Sequence, residues 1–461
     1  MHAMDNFHLF TMMYFKKLPT FVRNSPTYLN SWVSRMAFLS FTRFNSLEIT
    51  DQNMKLSFDI YSTFLIMIAV LLTGRFLTKK IKFLKRYDIP EPVSGGLVFA
   101  ILILVLTTVF DFKISFNKSL QEPLMLGFFT TLGLNADFKM LKKAGSLLII
   151  FLLSSIGLLI VQNITGIGLT LAMGENPLIG LIGGSVSLTG GFGTGAAWGT
   201  VFEKAPYNFT SATSVAMACA TFGVVSGGLI GGPMANFLMK RYKIKGNSGK
   251  ASGEEISNDY TNPSAEISTK SITAESFINS LALTAISIFL GITVSSYMQR
   301  FSFTLPTFVW CLFFGIILRN FLSLTNLFKV FDREMDLIGD VCLSLFLAFV
   351  LMNINFIDLV HIAIPTSVVL ITQLVVMFLY GWIVTFRVCG KNYDAAVLVA
   401  GQCGFAIGST YNAMANMQSI TRHHGPSQQA FIIVSVVGAF FIDIINAFAI
   451  NLFVMLPVFT P

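Results

Sequence analysis

Charged side chains are scarce in this sequence. Only 12% of its 461 residues are Asp, Glu, Lys or Arg, whereas 54% are hydrophobic and 46 residues are Phe. A water-soluble globule of this length needs more polar side chain to cover its surface. The composition therefore excludes an ordinary soluble domain and predicts a protein that is embedded in a membrane.

Several functional motifs are also missing. The five cysteines lack CxxC spacing, which excludes the usual zinc and redox motifs. HExxH, GxSxG and a Walker A loop are absent, so neither hydrolase chemistry nor ATP coupling is indicated. The net charge of +8 is scattered between apolar runs, which argues against nucleic-acid binding. We expect no enzyme activity and no cofactor.

Apolar segments long enough to cross a bilayer recur along the chain. We predict an all-α membrane protein with about ten transmembrane helices, five in each half of the chain. The predicted spans lie near residues 58–76, 93–110, 122–136, 146–172, 211–239, 272–298, 305–321, 336–355, 362–386 and 428–456.

The segments between and before the spans suggest four regions. Residues 1–53 are an N-terminal extension that we expect to be disordered or a gene-calling artefact, because Met54 opens a typical transporter N-terminus. Residues 54–239 form the first repeat and residues 272–461 the second. Residues 240–271 are polar and contain Gly and Ser, which predicts a flexible linker.

One further segment lies between the fourth and fifth spans of each half. Residues 178–199 carry glycine at eight of 22 positions, too many for a stable lone spanning helix. Residues 394–418 are similarly placed in the second half. Both are predicted to be re-entrant hairpins, in which irregular backbone enters the membrane while shielded by protein.

The two halves resemble each other at a nearly constant offset. IPEPVSGGLVFAIL at 89 parallels LPTFVWCLFFGIIL at 305, and GFGTG at 191 parallels GFAIG at 404, which gives offsets of 216 and 213 residues. Because each predicted repeat has five spans, an odd number, the second repeat must be inverted relative to the first.

Basic residues set the expected orientation. If the linker is cytoplasmic, 21 of the Lys and Arg residues after Met54 lie inside and five lie outside. Both termini then face the periplasm of a cytoplasmic membrane. The first hairpin enters from outside and the second from inside, so that their glycine-rich tips can meet near the midplane.

The hairpin tips are the predicted solute site. Glycine lets the backbone approach a ligand closely, and the helix that starts after each tip presents unpaired N–H groups suited to a carboxylate. The alternative is that the glycines serve only helix packing. The candidate substrate-binding residues are Gly190, Gly191, Gly193, Thr194, Gly195, Gly404, Gly408, Ser409 and Thr410.

Sodium, a hard cation, needs oxygen ligands. Asp443 and Asn446 lie three residues apart and therefore on one helical face, and an intramembrane carboxylate is a functional candidate. A hydrogen-bonded packing role for Asp443 is the alternative. Asn135 and Asn353 occupy matching places in the repeats and are further candidates, with helix capping as their alternative.

A family resemblance rests on stretches that run in order from about Met54 to the C-terminus. They include IPEPVSGGL, PLMLGFFTTLGLNA, GGFGTGAAWG, AMACATFGVVSGGLIGGP, GKNYDAAVLVAGQCGFAIG and GAFFIDIINA. They resemble the bacterial sodium/glutamate symporter family. The resemblance implies sodium-driven import of L-glutamate, a ten-span inverted-repeat fold with two pore loops, and a homodimer.

Two departures from the family pattern affect the expected substrate. Phe192 stands where the family commonly has histidine, and Tyr411 and Asn412 stand where it commonly has a Thr-Pro pair. Aspartate or another dicarboxylate is therefore the main alternative substrate. An ion channel with re-entrant loops is the alternative transport class.

Overall fold

The computed structural model describes residues 46–50, 53–86, 89–110, 112–138, 145–244, 246, 272–298, 305–354 and 356–459. Most of the predicted N-terminal extension and of the predicted linker lies outside these residues.

The first half of the chain is mainly helical. Its helices are α1 (Ile60–Lys80), α2 (Lys82–Arg86), α3 (Glu91–Phe110), α4 (Gln121–Leu134), α5 (Gly145–Ala172), α6 (Pro177–Leu181), α7 (Gly191–Phe202) and α8 (Ala212–Arg241). A π-helical turn, Ile182–Val186, continues α6.

The second half of the chain is also mainly helical. Its helices are α9 (Ala274–Met298), α10 (Thr307–Thr325), α11 (Asp332–Met352), α12 (Phe356–Tyr380), α13 (Phe386–Val388), α14 (Tyr393–Ile407), α15 (Thr410–His424), α16 (Gln428–Val436) and α17 (Ile442–Val454). Two π-helical turns, Gly381–Thr385 and Val437–Phe441, connect α12 to α13 and α16 to α17.

The predicted helical membrane class is confirmed. Eight helices within the described residues are long and apolar enough to cross a membrane, and they are α1, α3, α5, α8, α9, α10, α11 and the α12–α13 segment. The other two predicted spans fall on α4, which has 14 residues, and on α16 with α17, which a π-helical turn interrupts. The total of ten crossings stays a prediction.

Three short strands depart from the all-α expectation. β1 (Ser46–Thr50) pairs antiparallel with β2 (Asn53–Ser57), and β2 pairs parallel with β3 (Phe112–Ser115). Their alternation of polar and apolar residues is typical of strands, but runs of four or five residues are too short to be recognised by periodicity. These three strands were therefore not predicted from the sequence.

The chain divides into two compact units. One comprises residues 1–64 and 106–117, of which the structure describes residues 46–50, 53–64, 106–110 and 112–117, and it contains the small sheet. The other comprises residues 65–105 and 118–461 and contains both glycine-rich segments. The candidate site lies entirely within this second unit.

Helices of the second unit pack closely where glycine replaces a side chain. A Cβ atom on Gly133 of α4 would collide with the Leu312 carbonyl oxygen of α10, and one on Gly315 would lie 2.7 Å from the Thr130 carbonyl oxygen. These reciprocal contacts bring the two backbones together, as small residues do in membrane helices. Helix α4 also packs against α11.

A second group of helices surrounds the glycine-rich segments. Helix α8 packs against α7, α14 and α15, and α5 packs against α6 and α12. Large apolar side chains such as Trp198, Phe151 and Phe405 are fully buried there. This packing holds both segments between long helices instead of at the surface.

Candidate functional site

Hairpin 1, defined as residues Pro177–Phe202, consists of α6, its π-helical turn, a non-helical tip and α7. Asn176 caps its start, accepting a hydrogen bond from the Leu178 N–H at 2.9 Å, with Pro177 at the first helical position. The two ends of hairpin 1 open onto the same side, because Asn176 and Tyr207 line one cavity of about 410 Å³.

Hairpin 2, defined as residues Tyr393–His424, consists of α14 and α15 packed antiparallel. A Cβ atom on Gly404 would collide with Ala413, and one on Gly401 would lie 2.8 Å from the Met417 sulfur. At the open end, the Tyr393 hydroxyl donates to the carbonyl oxygen just beyond α15. Both ends of hairpin 2 therefore lie on one side of the molecule.

The two hairpins open on opposite sides. Helix α8 begins beside the open end of hairpin 1, where the Thr213 N–H donates to Glu203 Oε1 at 3.1 Å. The chain just beyond α8 lies beside the open end of hairpin 2, where a Cβ atom on Gly246 would collide with the His424 carbonyl oxygen. A 30-residue helix extends about 45 Å, so the open ends are far apart.

The tips of the two hairpins meet between these ends. The Thr189 hydroxyl in hairpin 1 donates to the Ala406 carbonyl oxygen in hairpin 2 at 3.1 Å. A Cβ atom on Gly191 would lie 3.9 Å from the carbonyl oxygen of Gly408. Gly191 has φ +63°, a left-handed conformation that favours glycine at the first position of α7.

A buried glutamine ties the tips to α5. Gln162 donates to the Ala406 carbonyl oxygen at 2.9 Å and accepts a hydrogen bond from Thr189 at 2.8 Å. The Gln373 side chain of α12 donates in turn to the main-chain carbonyl oxygen of Gln162 at 2.7 Å. Both glutamines are fully buried, so this network fixes how closely the tips approach.

Two asparagines of α15 tie hairpin 2 to α8. Asn412 donates to the Val224 carbonyl oxygen at 2.6 Å, and Asn416 donates to the Gly227 carbonyl oxygen at 2.8 Å. Gly227 allows the approach, since a Cβ atom there would lie 3.0 Å from the Gly408 nitrogen. Helix α8 thus serves as the wall against which hairpin 2 is positioned.

The predicted substrate residues fall into two groups. Gly190, Gly191, Gly408, Ser409 and Thr410 lie at the tips: Ser409 caps α15 by accepting from the Asn412 N–H at 3.2 Å, and the Thr410 hydroxyl donates to the Gly438 carbonyl oxygen at 3.0 Å. Gly190, Gly191, Ser409 and Thr410 are partly buried, and Gly408 is buried.

The remaining predicted residues lie in packing contacts. A Cβ atom on Gly193 would lie 2.7 Å from the Phe128 ring, one on Gly195 would lie 3.2 Å from a serine hydroxyl, and Gly404 packs inside hairpin 2. Thr194 is 5% exposed and belongs to the buried interior of α7. The contacts of these glycines are those of helix packing, the alternative role that the sequence left open.

The predicted sodium ligands are also separated. Asp443 and Asn446 share the first turns of α17, where Asn446 is fully buried and donates to the Ser185 carbonyl oxygen of hairpin 1 at 2.9 Å. Asn135 follows α4 and donates to Asp336 at 2.7 Å, and Asn353 follows α11 and donates to the Phe349 carbonyl oxygen at 2.7 Å. Asn135 and Asn353 lie at the C-terminal caps of α4 and α11, which is the alternative role that the sequence left open.

The three residues that depart from the family pattern have different surroundings. Phe192 is 7% exposed and packs in the hydrophobic core. Asn412 is 2% exposed and holds α8. Tyr411 is 75% exposed on the outer face of α15. Phe192 therefore contributes to core packing, and Asn412 holds hairpin 2 against α8.

Sequence reasoning missed the polar residues that hold the tips. Gln162, Asn163 and Gln373 are fully buried amides, and the adjacent Gln162 and Asn163 interrupt the apolar run of α5. An amide pair at mid-span is costly in lipid and could have marked this helix as part of the site.

The tips are suited to an anion with a carboxylate. Helix α7, with 12 residues, and helix α15, with 15, both begin at the meeting point of the tips. The first N–H groups of a helix lack intrahelical partners, and the helix dipole places partial positive charge there. Two such ends within one site can bind carboxylate oxygens without a lysine or arginine.

Comparison with known proteins gives a consistent result. A family profile described as sodium/glutamate symporter matches residues 56–426. The sodium/glutamate symporter of Escherichia coli (strain K12) is 47% identical over 401 residues, which cover 87% of this chain and 98% of that relative. The one from Haemophilus influenzae is 43% identical over 394 residues, 86% of this chain and 96% of the relative.

A search of solved structures finds the sodium proton antiporter of Methanocaldococcus jannaschii at pH 8. The match has a TM-score of 0.37 and 11% sequence identity, and it covers 87% of this chain and 98% of that chain. A superposition this loose carries no argument about mechanism.

Proposed function

The chain belongs to the sodium/glutamate symporter family, and we propose that it binds L-glutamate between the tips of hairpins 1 and 2 and imports it together with Na⁺. The observation that carries this proposal is the meeting of the tips, where the starts of α7 and α15 converge and Thr189 is hydrogen-bonded to Ala406. A carboxylate of glutamate would accept hydrogen bonds from the N–H groups that begin these helices.

The transport class fits a two-sided arrangement. Hairpin 1 opens on one side of the molecule and hairpin 2 on the other, so the two segments enter the helix bundle from opposite faces. Inverted repeats that meet at the midplane are the usual basis of alternating access in secondary transporters. The chain is a multi-pass membrane protein of a transporter family, and we propose that it has no enzymatic activity and needs no organic cofactor.

The finer assignments follow from the charge bias and the family. We propose that the open end of hairpin 2 and the linker are cytoplasmic, and that the open end of hairpin 1 and both termini are periplasmic. The homodimer implied by the family also stays a prediction.

Uptake by proteoliposomes tests this function. Purified protein is reconstituted, and accumulation of radiolabelled L-glutamate is measured with an inward Na⁺ gradient, with a K⁺ gradient of the same size, and without protein. We expect accumulation only with Na⁺, and competition by unlabelled L-glutamate. Equal accumulation in the K⁺ gradient would contradict the coupling.

The same assay separates the alternative substrates. Unlabelled aspartate and four-carbon dicarboxylates are added as competitors, each at the concentration at which unlabelled glutamate halves the uptake. A site that is specific for glutamate predicts weaker inhibition by both. Stronger inhibition by aspartate would show that the substrate is a shorter acidic solute.

A further inference from the structure

A run of lysines follows the first spanning helix. Helix α1 has 21 residues and is therefore about 31 Å long, enough to cross a hydrocarbon core of about 30 Å. Arg75 is the one charged residue between Ile60 and Thr78, so the apolar part of the helix ends there. The residues that follow lie at the depth of the lipid headgroups. We call residues 79–85 the lysine segment, and its lysines are Lys79, Lys80, Lys82 and Lys85.

The positive charge of the lysine segment is not neutralised by the protein. All four lysines are exposed, and none forms an ion pair with a carboxylate that the structure describes. Arg75 differs, because it is paired with Glu91 at 3.0 Å. Lys80 Nζ lies 4.5 Å from the ring centroid of Phe76, a contact that leaves its charge uncompensated.

Two large apolar side chains alternate with the lysines. Ile81 is 43% exposed and Phe83 is 53% exposed. Helical hydrogen bonds continue through the segment, since the Ile81 N–H donates to the Leu77 carbonyl oxygen at 2.8 Å and the Lys85 N–H donates to the Ile81 carbonyl oxygen at 3.3 Å. Leu84 packs against the hydrophobic core. The segment is therefore held against the protein, with both cationic and apolar groups exposed.

A bilayer surface with anionic headgroups matches this combination of side chains. A basic segment directly after a spanning helix is attracted to anionic lipids, with a contribution on the order of fivefold in affinity for each lysine. Apolar side chains at the same depth can enter the boundary of the acyl chains, while the flexible lysine stems extend to the phosphates. A loop that only faces water gains nothing from exposing Ile81 and Phe83, whereas lipid covers both.

We infer that the lysine segment binds the headgroup phosphates of anionic membrane lipids, while Ile81 and Phe83 contact the acyl chains beneath them. This inference depends on α1 crossing the bilayer and is independent of which solute the protein transports.

Quenching of a fluorescent label by brominated lipid tests the inference. In a Cys342→Ser background, Leu72→Cys is labelled with bimane. Leu72 is 57% exposed and lies seven residues before Lys79, on the same helical face and about 10 Å deeper in the bilayer. The full-length protein is reconstituted in phosphatidylcholine vesicles with increasing fractions of brominated phosphatidylglycerol or brominated phosphatidylcholine. The ratio of the fractions that give half-maximal quenching measures the local preference for anionic lipid.

Two double variants with the same loss of charge are compared. Lys82→Gln with Lys85→Gln removes two cations of the lysine segment. Lys118→Gln with Lys204→Gln is the matched control, because both of these lysines are exposed and lie in other segments of the chain. Each variant is checked for a single monodisperse species before reconstitution.

We expect the parent to prefer phosphatidylglycerol by about tenfold or more, and the double variant of the lysine segment to lose about fivefold of this preference. The control should keep the preference of the parent. Salt at about 1 M should reduce the preference, because exposed charges are then screened within about 3 Å. A parent without preference for the anionic lipid, or an equal preference in both double variants, would overturn the inference.

Discussion

Asn163 accepts a hydrogen bond from the N–H of Ser185 and Asn446 donates one to its carbonyl oxygen, but only Asn446 could be recognised from the sequence as a candidate site residue. Asn446 follows Asp443 at helical spacing, so the pair suggested an ion site. Asn163 lies in another helix, and its role depends on a helix break at Gly184 that no periodicity reveals. The sequence could suggest polar ligands within a spanning helix, but it could not show which backbone group each side chain contacts.

At the residue scale, Asp443→Asn should weaken Na⁺ coupling without preventing folding. Asp443 is partly exposed and lies one turn before Asn446, so its charge favours a cation beside it. We expect the Na⁺ concentration for half-maximal glutamate uptake to rise about tenfold.

Asp340→Asn is the control for this change, because Asp340 is also a carboxylate within an apolar helix but belongs to α11. It should leave the Na⁺ dependence as in the parent. An unchanged Na⁺ requirement in Asp443→Asn, with a normal amount of protein in the membrane, would rule out the ion role of Asp443.

At the scale of elements, glycine content located the hairpins but did not separate their roles. Gly191 and Gly408 lie where the tips meet, whereas Gly193 and Gly404 give close packing. In the sequence all four are simply glycines near a predicted tip. The difference depends on neighbours far along the chain, such as Phe128 beside Gly193, and these are set only by tertiary packing.

Gly404→Ala tests the packing of hairpin 2. A methyl group at this position would collide with Ala413 on the opposite arm, so the arms must separate. We expect a loss of about 1–3 kcal/mol, typical of overpacking. Thermal unfolding in detergent measures it as a lower Tm.

Gly168→Ala in α5 is the matched change for this experiment. A Cβ atom there has nothing within 4 Å among the described residues, and alanine favours helix over glycine. Its Tm should stay the same or rise. A Gly404→Ala variant as stable as Gly168→Ala would contradict the close packing of the arms.

At the scale of the whole molecule, composition and hydropathy predicted most of the fold. The low content of charge and the recurring apolar runs predicted a helical membrane protein, and the structure contains eight suitable helices among its described residues. The repeat offset predicted that matching elements recur in each half. The small sheet of β1, β2 and β3 was not predicted, because its strands are too short to be recognised by periodicity and β3 pairs with β2 from a distant part of the chain.

The opposite entry of the two hairpins is the central claim, and cysteine labelling from one side of the membrane tests it most directly. In a Cys342→Ser background, which removes the one partly exposed native thiol among the described residues, single cysteines replace Lys204 near the open end of hairpin 1 and Lys240 at the end of α8. Both lysines are exposed.

An impermeant thiol reagent is then added to intact cells and to permeabilised cells. We predict that Lys204→Cys is labelled in intact cells, whereas Lys240→Cys is labelled only after permeabilisation. Labelling of both positions in intact cells, or of neither, would contradict the account, because the open ends of the two hairpins would then face the same side of the membrane.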